Sequence, residues 1–216
     1  MRMTMTLLTL LSLTLPFNST AEPISEENQM NSKRVFIVHG YMANASDHWF
    51  GWLKDELTMN NIKTEILMMP NSDNPDSTVW QETLTKKIGR VDKQTFIVAH
   101  SLGCISVLRY LNNHSGFELG GLILVSGFNS KLPALPQLDK FIKETRLTDN
   151  LSLNIGRTVV FASTDDPFVP MKMTKALAER LDGKYIQVES AGHFLGSDGY
   201  TNFSELLNEL MLGIGK

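Results

Sequence analysis

The stretch Phe96-Ile97-Val98-Ala99-His100-Ser101-Leu102-Gly103-Cys104 decides the fold class. Its apolar, β-branched run from Thr95 to Ala99 reads as a strand buried on both faces. Ser101 follows almost at once, and Leu102 to Asn112 has the length and spacing of a helix. A serine on so sharp a strand-to-helix turn is held in a strained conformation, so the residues two before and two after it must be small. Here they are Ala99 and Gly103. The helix start would set the Leu102 N–H and the helix dipole beside negative charge developing at Ser101. An N-capping serine is the plainer reading of the same residue, and the flanking strand and helix favour a nucleophile over it.

Outward from this turn the chain alternates. Arg34–Val38, Leu122–Val125 and Thr158–Phe161 read as further buried strands, with Lys63–Met68 and Lys184–Val188 as weaker ones. Asp47–Met59, Ser77–Ile88, Met171–Leu181 and Phe203–Leu212 read as amphipathic helices. Strand–helix alternation requires crossover connections, hence an α/β fold: a three-layer, doubly wound, mostly parallel sheet. Ligands of such sheets lie at the carboxyl ends of the strands, and the polar residues there are the functional candidates.

Val38-His39-Gly40-Tyr41-Met42 closes the first of these strands, where the N–H of Tyr41 (or Met42) can serve as a second oxyanion donor beside Leu102. The strand at Thr158–Phe161 runs into Ser163-Thr164-Asp165-Asp166-Pro167-Phe168-Val169-Pro170, where two adjacent aspartates compete for the role of an acid. His193, in Ser190-Ala191-Gly192-His193-Phe194 after the last strand, is the candidate base and completes the chain order nucleophile, acid, histidine. The other histidines read as structural. His100 should point away from the site, His48 should pack beside Trp49 or line the mouth of the site, with packing preferred, and His114 should end a helix. Trp49 and Trp52, three apart, read as a core stripe, and Cys104 as a small buried hydrophobe. No histidine spacing suggests a metal.

The composition of the whole 216-residue chain is that of a globular protein, with 42% hydrophobic and 20% charged residues. A net charge of −3 supplies no electrostatic case for nucleic acid, and a single cysteine excludes an intramolecular disulfide framework. The first residues stand apart. Arg2 precedes an uncharged, leucine- and threonine-rich run from Met5 to Phe17, followed by Ser19-Thr20-Ala21, a small-x-small exit. This is the pattern of a signal peptide over residues 1–21, too short to span about 30 Å of hydrocarbon comfortably; an uncleaved anchor is the alternative. Glu22–Ser32 then reads as a polar, disordered lead-in, with one domain over residues 33–216. The expected location is the periplasm or the medium, without a stable membrane span after processing.

From Arg34 onward the chain resembles the α/β-hydrolase superfamily, and within it the small serine hydrolases of the retinoblastoma-binding protein nine and YdeN-like family. The resemblance rests on His39-Gly40, His48-Trp49 with Trp52-Leu53-Lys54, and Trp80. It rests equally on Ala99 to Gly103, Ser163 to Pro170 and Gly192-His193-Phe194. It implies a triad of Ser101, Asp166 and His193, with Asp166 chosen over Asp165 because Asp-x-x-Val-Pro surrounds the acid in related enzymes. The signal-like N-terminus departs from a family whose members are usually intracellular. The chemistry implied is hydrolysis of small carboxylic esters through an acyl-enzyme, with oxyanion donors at Tyr41 and Leu102 and no cofactor. A thioesterase, amidase or acyltransferase would use the same residues, and a non-catalytic binding protein on this scaffold is the rival from another class. The interval between Ser126 and Arg157 is too short for a large cap domain, so Lys131–Leu147 is expected to form a modest flap over an open, small-substrate site.

Overall fold

The computed structural model describes residues 32–114, 116–142, 147–148 and 150–215. The expected signal peptide, and the lead-in as far as Asn31, lie outside the described residues. Among the described residues six strands form one sheet: β1 (Arg34–Val38), β2 (Lys63–Leu67), β3 (Thr95–His100), β4 (Gly121–Val125), β5 (Thr158–Ser163) and β6 (Lys184–Val188). They lie in the order β2-β1-β3-β4-β5-β6, every neighbouring pair parallel. The connecting helices are α1 (Phe50–Met59), α2 (Ser77–Ile88), α3 (Leu102–Asn112), α4 (Asp139–Ile142), α5 (Met171–Arg180) and α6 (Ser204–Ile214).

Strand side chains alternate between two cores because successive residues of a strand point to opposite faces. Phe36, Val38, Ile97, Ala99, Leu122 and Leu124 pack with α2, α3 and α5. Val35, Ile37, Phe96, Val98, Ile123 and Val125 pack with α1 and α6. A helical layer on each face explains why the central strands read as unbroken apolar runs. From β1 the chain first builds outward to β2 and then returns to lay β3 on the other side. The β1/β3 junction is therefore the switch point, where loops diverge and leave a crevice.

The first helix begins three residues later than the expected Asp47, at Phe50. An Asn44–Asp47 turn precedes it, with Asp47 Oδ2 accepting from Asn44 N–H at 2.8 Å, and His48 has a left-handed φ of 55° that no α-helix accepts. The segment expected as a flap folds down as a 3₁₀ turn at Pro136–Leu138 followed by α4, burying Leu138, Phe141 and Ile142. Arg109 on α3 holds it by donating to the Phe141 carbonyl at 2.6 Å. Among the described residues no helix is long and apolar enough to cross a membrane.

Candidate active site

Ser101 leaves the carboxyl end of β3 with φ 53° and ψ −120°, a conformation costing a non-glycine residue about 1–3 kcal/mol. Close packing against β1 enforces it. A Cβ on Gly103 would lie 2.5 Å from the Val38 carbonyl oxygen and 2.6 Å from that of His39. A Cβ on Gly40 would come within 2.9 Å of Ser101 Cβ and 3.3 Å of Leu102 N. The two backbones touch, so the N–H groups that follow Gly40 and Ser101 are neighbours. Met42 N–H donates to the Ser72 carbonyl at 2.8 Å. Among the described residues Tyr41 N–H and Leu102 N–H have no protein acceptor.

His39 sets the Gly40–Tyr41 turn. Its Nε2 accepts from Met69 N–H at 3.0 Å, so Nδ1 carries the proton and donates to the Gly40 carbonyl at 3.0 Å. Burial lowers its pKa, outweighing the Gly40 carbonyl and the charge of Asp47, and keeps the ring neutral as this bridge requires.

His193 is held at both ends of its backbone. Its N–H donates to Asp198 Oδ2 at 2.8 Å, which also accepts from Leu195 N–H at 3.0 Å. Its carbonyl accepts from His100 Nε2 at 2.9 Å. His100, as expected, points away from the pocket, lying beneath His193 with ring centroids 4.8 Å apart. Complete burial pushes its pKa well down, and the adjacent charge of His193 lowers it further. The His193 ring directs Nδ1 at Asp166 Oδ2, 2.8 Å away, and both side chains are almost fully enclosed.

Asp166 is the better furnished of the two aspartates. Oδ1 accepts from Phe168 and Val169 N–H, each at 2.9 Å, and Oδ2 accepts from Ser126 Oγ at 2.7 Å as well as from His193. Burial opposes its ionisation, yet the hydrogen bond and charge of His193, the Val169 N–H and the Ser126 hydroxyl together hold its carboxyl below the usual range. Asp165 is exposed and faces another way. Its Oδ1 accepts from Ser163 Oγ at 2.7 Å and Gly192 N–H at 2.8 Å, and these bonds, Ser163 first, lower its pKa. It ties the β5 end to the loop that carries His193.

Ser101 and His193 open onto one cavity of about 260 Å³, whose apolar wall includes Met42, Ala43, Leu135, Phe168 and Leu195. The side-chain partner of the His193 ring is Asp166, and no hydrogen bond joins the ring to Ser101 Oγ among the described residues. His48 borders this cavity, the less favoured of its two expected places, with Nδ1 accepting from Gly196 N–H at 3.0 Å. Trp49 is fully buried and Trp52 packs partly buried in the same core. Cys104 is buried, which drives its thiol pKa up and leaves it inert. A larger cavity of about 440 Å³ lies at the opposite end of the sheet, around Lys33, Gln94, Gly120 and Arg157, and no serine, threonine or cysteine is among its described lining residues.

Ser126 and Asp198 are contributors that the sequence reading missed. Ser126 directly follows the carboxyl end of β4, so the rule that strand ends face the site could have found it. Asp198 lies in a 3₁₀ turn (Gly196–Asp198) after the histidine, and nothing in the sequence distinguishes it from a solvated loop residue.

The family model for serine hydrolases matches residues 35–211. YdeN of Bacillus subtilis (strain 168) is 39% identical over 172 residues, covering 79% of this chain and 90% of that protein. The serine hydrolase RBBP9 of Rattus norvegicus is 28% identical over 165 residues, or 76% of this chain and 84% of that one. The crystal structure of the B. subtilis ydeN product superposes with a TM-score of 0.82 at 37% identity, covering 86% of this chain and all of that one. An esterase from Exiguobacterium antarcticum shares the fold at 15% identity, with a TM-score of 0.62 over 86% of this chain and 92% of its own. With a parallel sheet, a serine at its strained strand-to-helix turn and a family match along nearly all of the described chain, this protein belongs to the serine hydrolases of the α/β-hydrolase fold.

Proposed function

We propose that the protein hydrolyses small carboxylic esters through a triad of Ser101, His193 and Asp166. The observation that carries this reading is one cavity onto which Ser101, at φ 53°, and His193 both open, with His193 Nδ1 2.8 Å from Asp166 Oδ2. Ser101 Oγ attacks the ester carbonyl as His193 Nε2 takes its proton, and the carbonyl π electrons move onto oxygen. The Tyr41 and Leu102 N–H groups receive that oxyanion, each such donor contributing about 3 kcal/mol in the transition state. Collapse breaks the bond to the alkoxide, which leaves with the proton from His193. Water, deprotonated by the same imidazole, then releases the acid and restores Ser101. A cavity of about 260 Å³ sits at the small end of ligand sites and its wall is apolar, which suits short acyl groups.

We further propose that residues 1–21 direct export, leaving a mature chain that begins at Glu22. Its support is the sequence pattern alone.

The decisive test is Ser101→Ala. Activity on p-nitrophenyl butyrate should fall by roughly 10⁴-fold or more with thermal unfolding unchanged, and a fluorophosphonate probe should no longer label the protein. Undiminished labelling of the variant would refute the assignment.

A further inference from the structure

The apolar cavity around Ser101 has a polar neighbour. Tyr41 lines both, and beyond it a cavity of about 330 Å³ opens between the β2–α2 loop and the α4 segment. Its polar lining comes from Asp73, Asn74 and Asp76 on one wall and Gln137 and Lys140 on the other, with Phe141 and Tyr41 as aromatic surface.

The first wall is built rather than loose. Met69 N–H donates to His39 Nε2 at 3.0 Å, Trp80 Nε1 to the Pro70 carbonyl at 2.8 Å, and Asn74 N–H to the Asn71 carbonyl at 2.9 Å. The Met42–Ser72 bond at 2.8 Å pins this loop to the oxyanion turn, so the polar cavity keeps a fixed relation to the reacting carbonyl. Asp76, an exposed residue, caps α2 through Oδ1, accepting from Thr78 and Val79 N–H, and its Oδ2 takes no part in the cap.

The lining selects by chemistry. An anion would meet two carboxylates, a cation would be drawn to them and opposed by the Lys140 ammonium on the other wall, and an extended hydrocarbon would strip water from all of them without replacing its hydrogen bonds. A neutral hydroxyl both donates and accepts, and so suits carboxylates, amides and an ammonium alike. We infer, on the basis of the ester-hydrolase reading above, that the cavity beyond Tyr41 binds a hydroxyl-rich group, and that the preferred substrates are short-chain acyl esters of sugars or similar polyols. The acyl chain would occupy the apolar cavity and the polyol the polar one.

The test compares purified wild-type protein with Asp73→Ala/Gln137→Ala on three butyrate esters, namely methyl 6-O-butyryl-glucoside, ethyl butyrate and butyrylcholine, followed by acid release. Wild type should favour the sugar ester over ethyl butyrate by about tenfold in kcat/KM, as one or two added hydrogen bonds would give. The variant should bring that ratio close to one, mainly through the KM of the sugar ester. Equal losses on both esters, a wild-type ratio near one, or a stronger preference for the choline ester would each overturn the polyol subsite while the ester reading stands. No turnover of any ester together with no fluorophosphonate labelling of Ser101 would overturn the ester reading, and this inference with it.

Discussion

Asp166 Oδ2 accepts at once from Ser126 Oγ at 2.7 Å and His193 Nδ1 at 2.8 Å, whereas Asp165 Oδ1 is occupied by Ser163 Oγ and Gly192 N–H. An amide in place of the Asp166 carboxylate would present an N–H to one of these donors or reverse the imidazole tautomer. Asp166→Asn should therefore cost about 10⁴ in kcat/KM. Asp165→Asn keeps an acceptor oxygen for Ser163 and Gly192 and should cost about tenfold or less, the scale of one weakened hydrogen bond. Steady-state kinetics of the two variants settles the order, and a larger loss at Asp165 would transfer the acid to that residue. The sequence narrows the acid to two neighbours by its chain order. The Asp-x-x-Val-Pro resemblance prefers Asp166, and the side-chain directions agree with it, since Asp166 meets His193 while Asp165 faces Ser163 and Gly192.

At the scale of elements, the elbow depends on how closely α3 approaches β1. Gly103→Ala would drive a methyl to 2.5 Å from the Val38 carbonyl oxygen, a rigid backbone atom that cannot yield. The helix must retreat, carrying Leu102 N–H with it, so the variant should lose about 2–4 kcal/mol of stability and most of its activity. Gly51→Ala on α1 is the contrast. Nothing lies within 4 Å of the added methyl there, and the better helix former should stabilise by up to about 1 kcal/mol. Thermal denaturation followed by circular dichroism reads both, and comparable effects at the two glycines would refute the packing account. The sequence shows that a small residue is wanted at Gly103. It cannot show that the carbonyls of Val38 and His39, some sixty residues earlier, are what demand it.

Across the whole molecule, burial of titratable groups makes stability depend on pH in two steps. His100, His39 and His48 all have pKa values lowered by burial, so the unfolded chain binds more protons than the folded one once the pH drops below about 6.5. Stability contributed by their neutral forms is complete above that value and declines beneath it. Asp166 and Glu209 follow at lower pH. Burial opposes ionisation of Glu209, but Lys184, 2.6 Å away, and Arg157 outweigh it, and α6 is thereby bound to the strand edges. Both carboxyls are depressed, so their contribution persists above about pH 4 and disappears as the pH falls through the folded values. Urea midpoints should decline from pH 8 to pH 5 and more steeply from pH 4 to pH 3; a flat profile between pH 8 and pH 5 would contradict the histidine contribution. The export proposal also belongs to the whole chain. N-terminal sequencing of protein from the periplasm or medium should start at Glu22, and full-length protein retained in the cytosol would refute it.

Periodicity and turn chemistry alone determine the alternation of strands and helices, the parallel sheet and the serine at its turn, because these are local preferences that neighbouring residues impose on one another. α2 and α3 span the residues their patterns indicate, from Ser77 to Ile88 and from Leu102 to Asn112. Tertiary structure decides what depends on contacts between distant segments. It delays α1 behind the left-handed His48, and it closes the Met42 N–H with Ser72 while Tyr41 N–H has no protein acceptor among the described residues. It also brings Ser126 to Asp166 across forty residues and gives both ends of the His193 backbone to Asp198 and His100. Hydrogen-bond partners are set by direction and distance within a few tenths of an ångström, and a linear pattern carries neither until the sheet has brought its strand ends together.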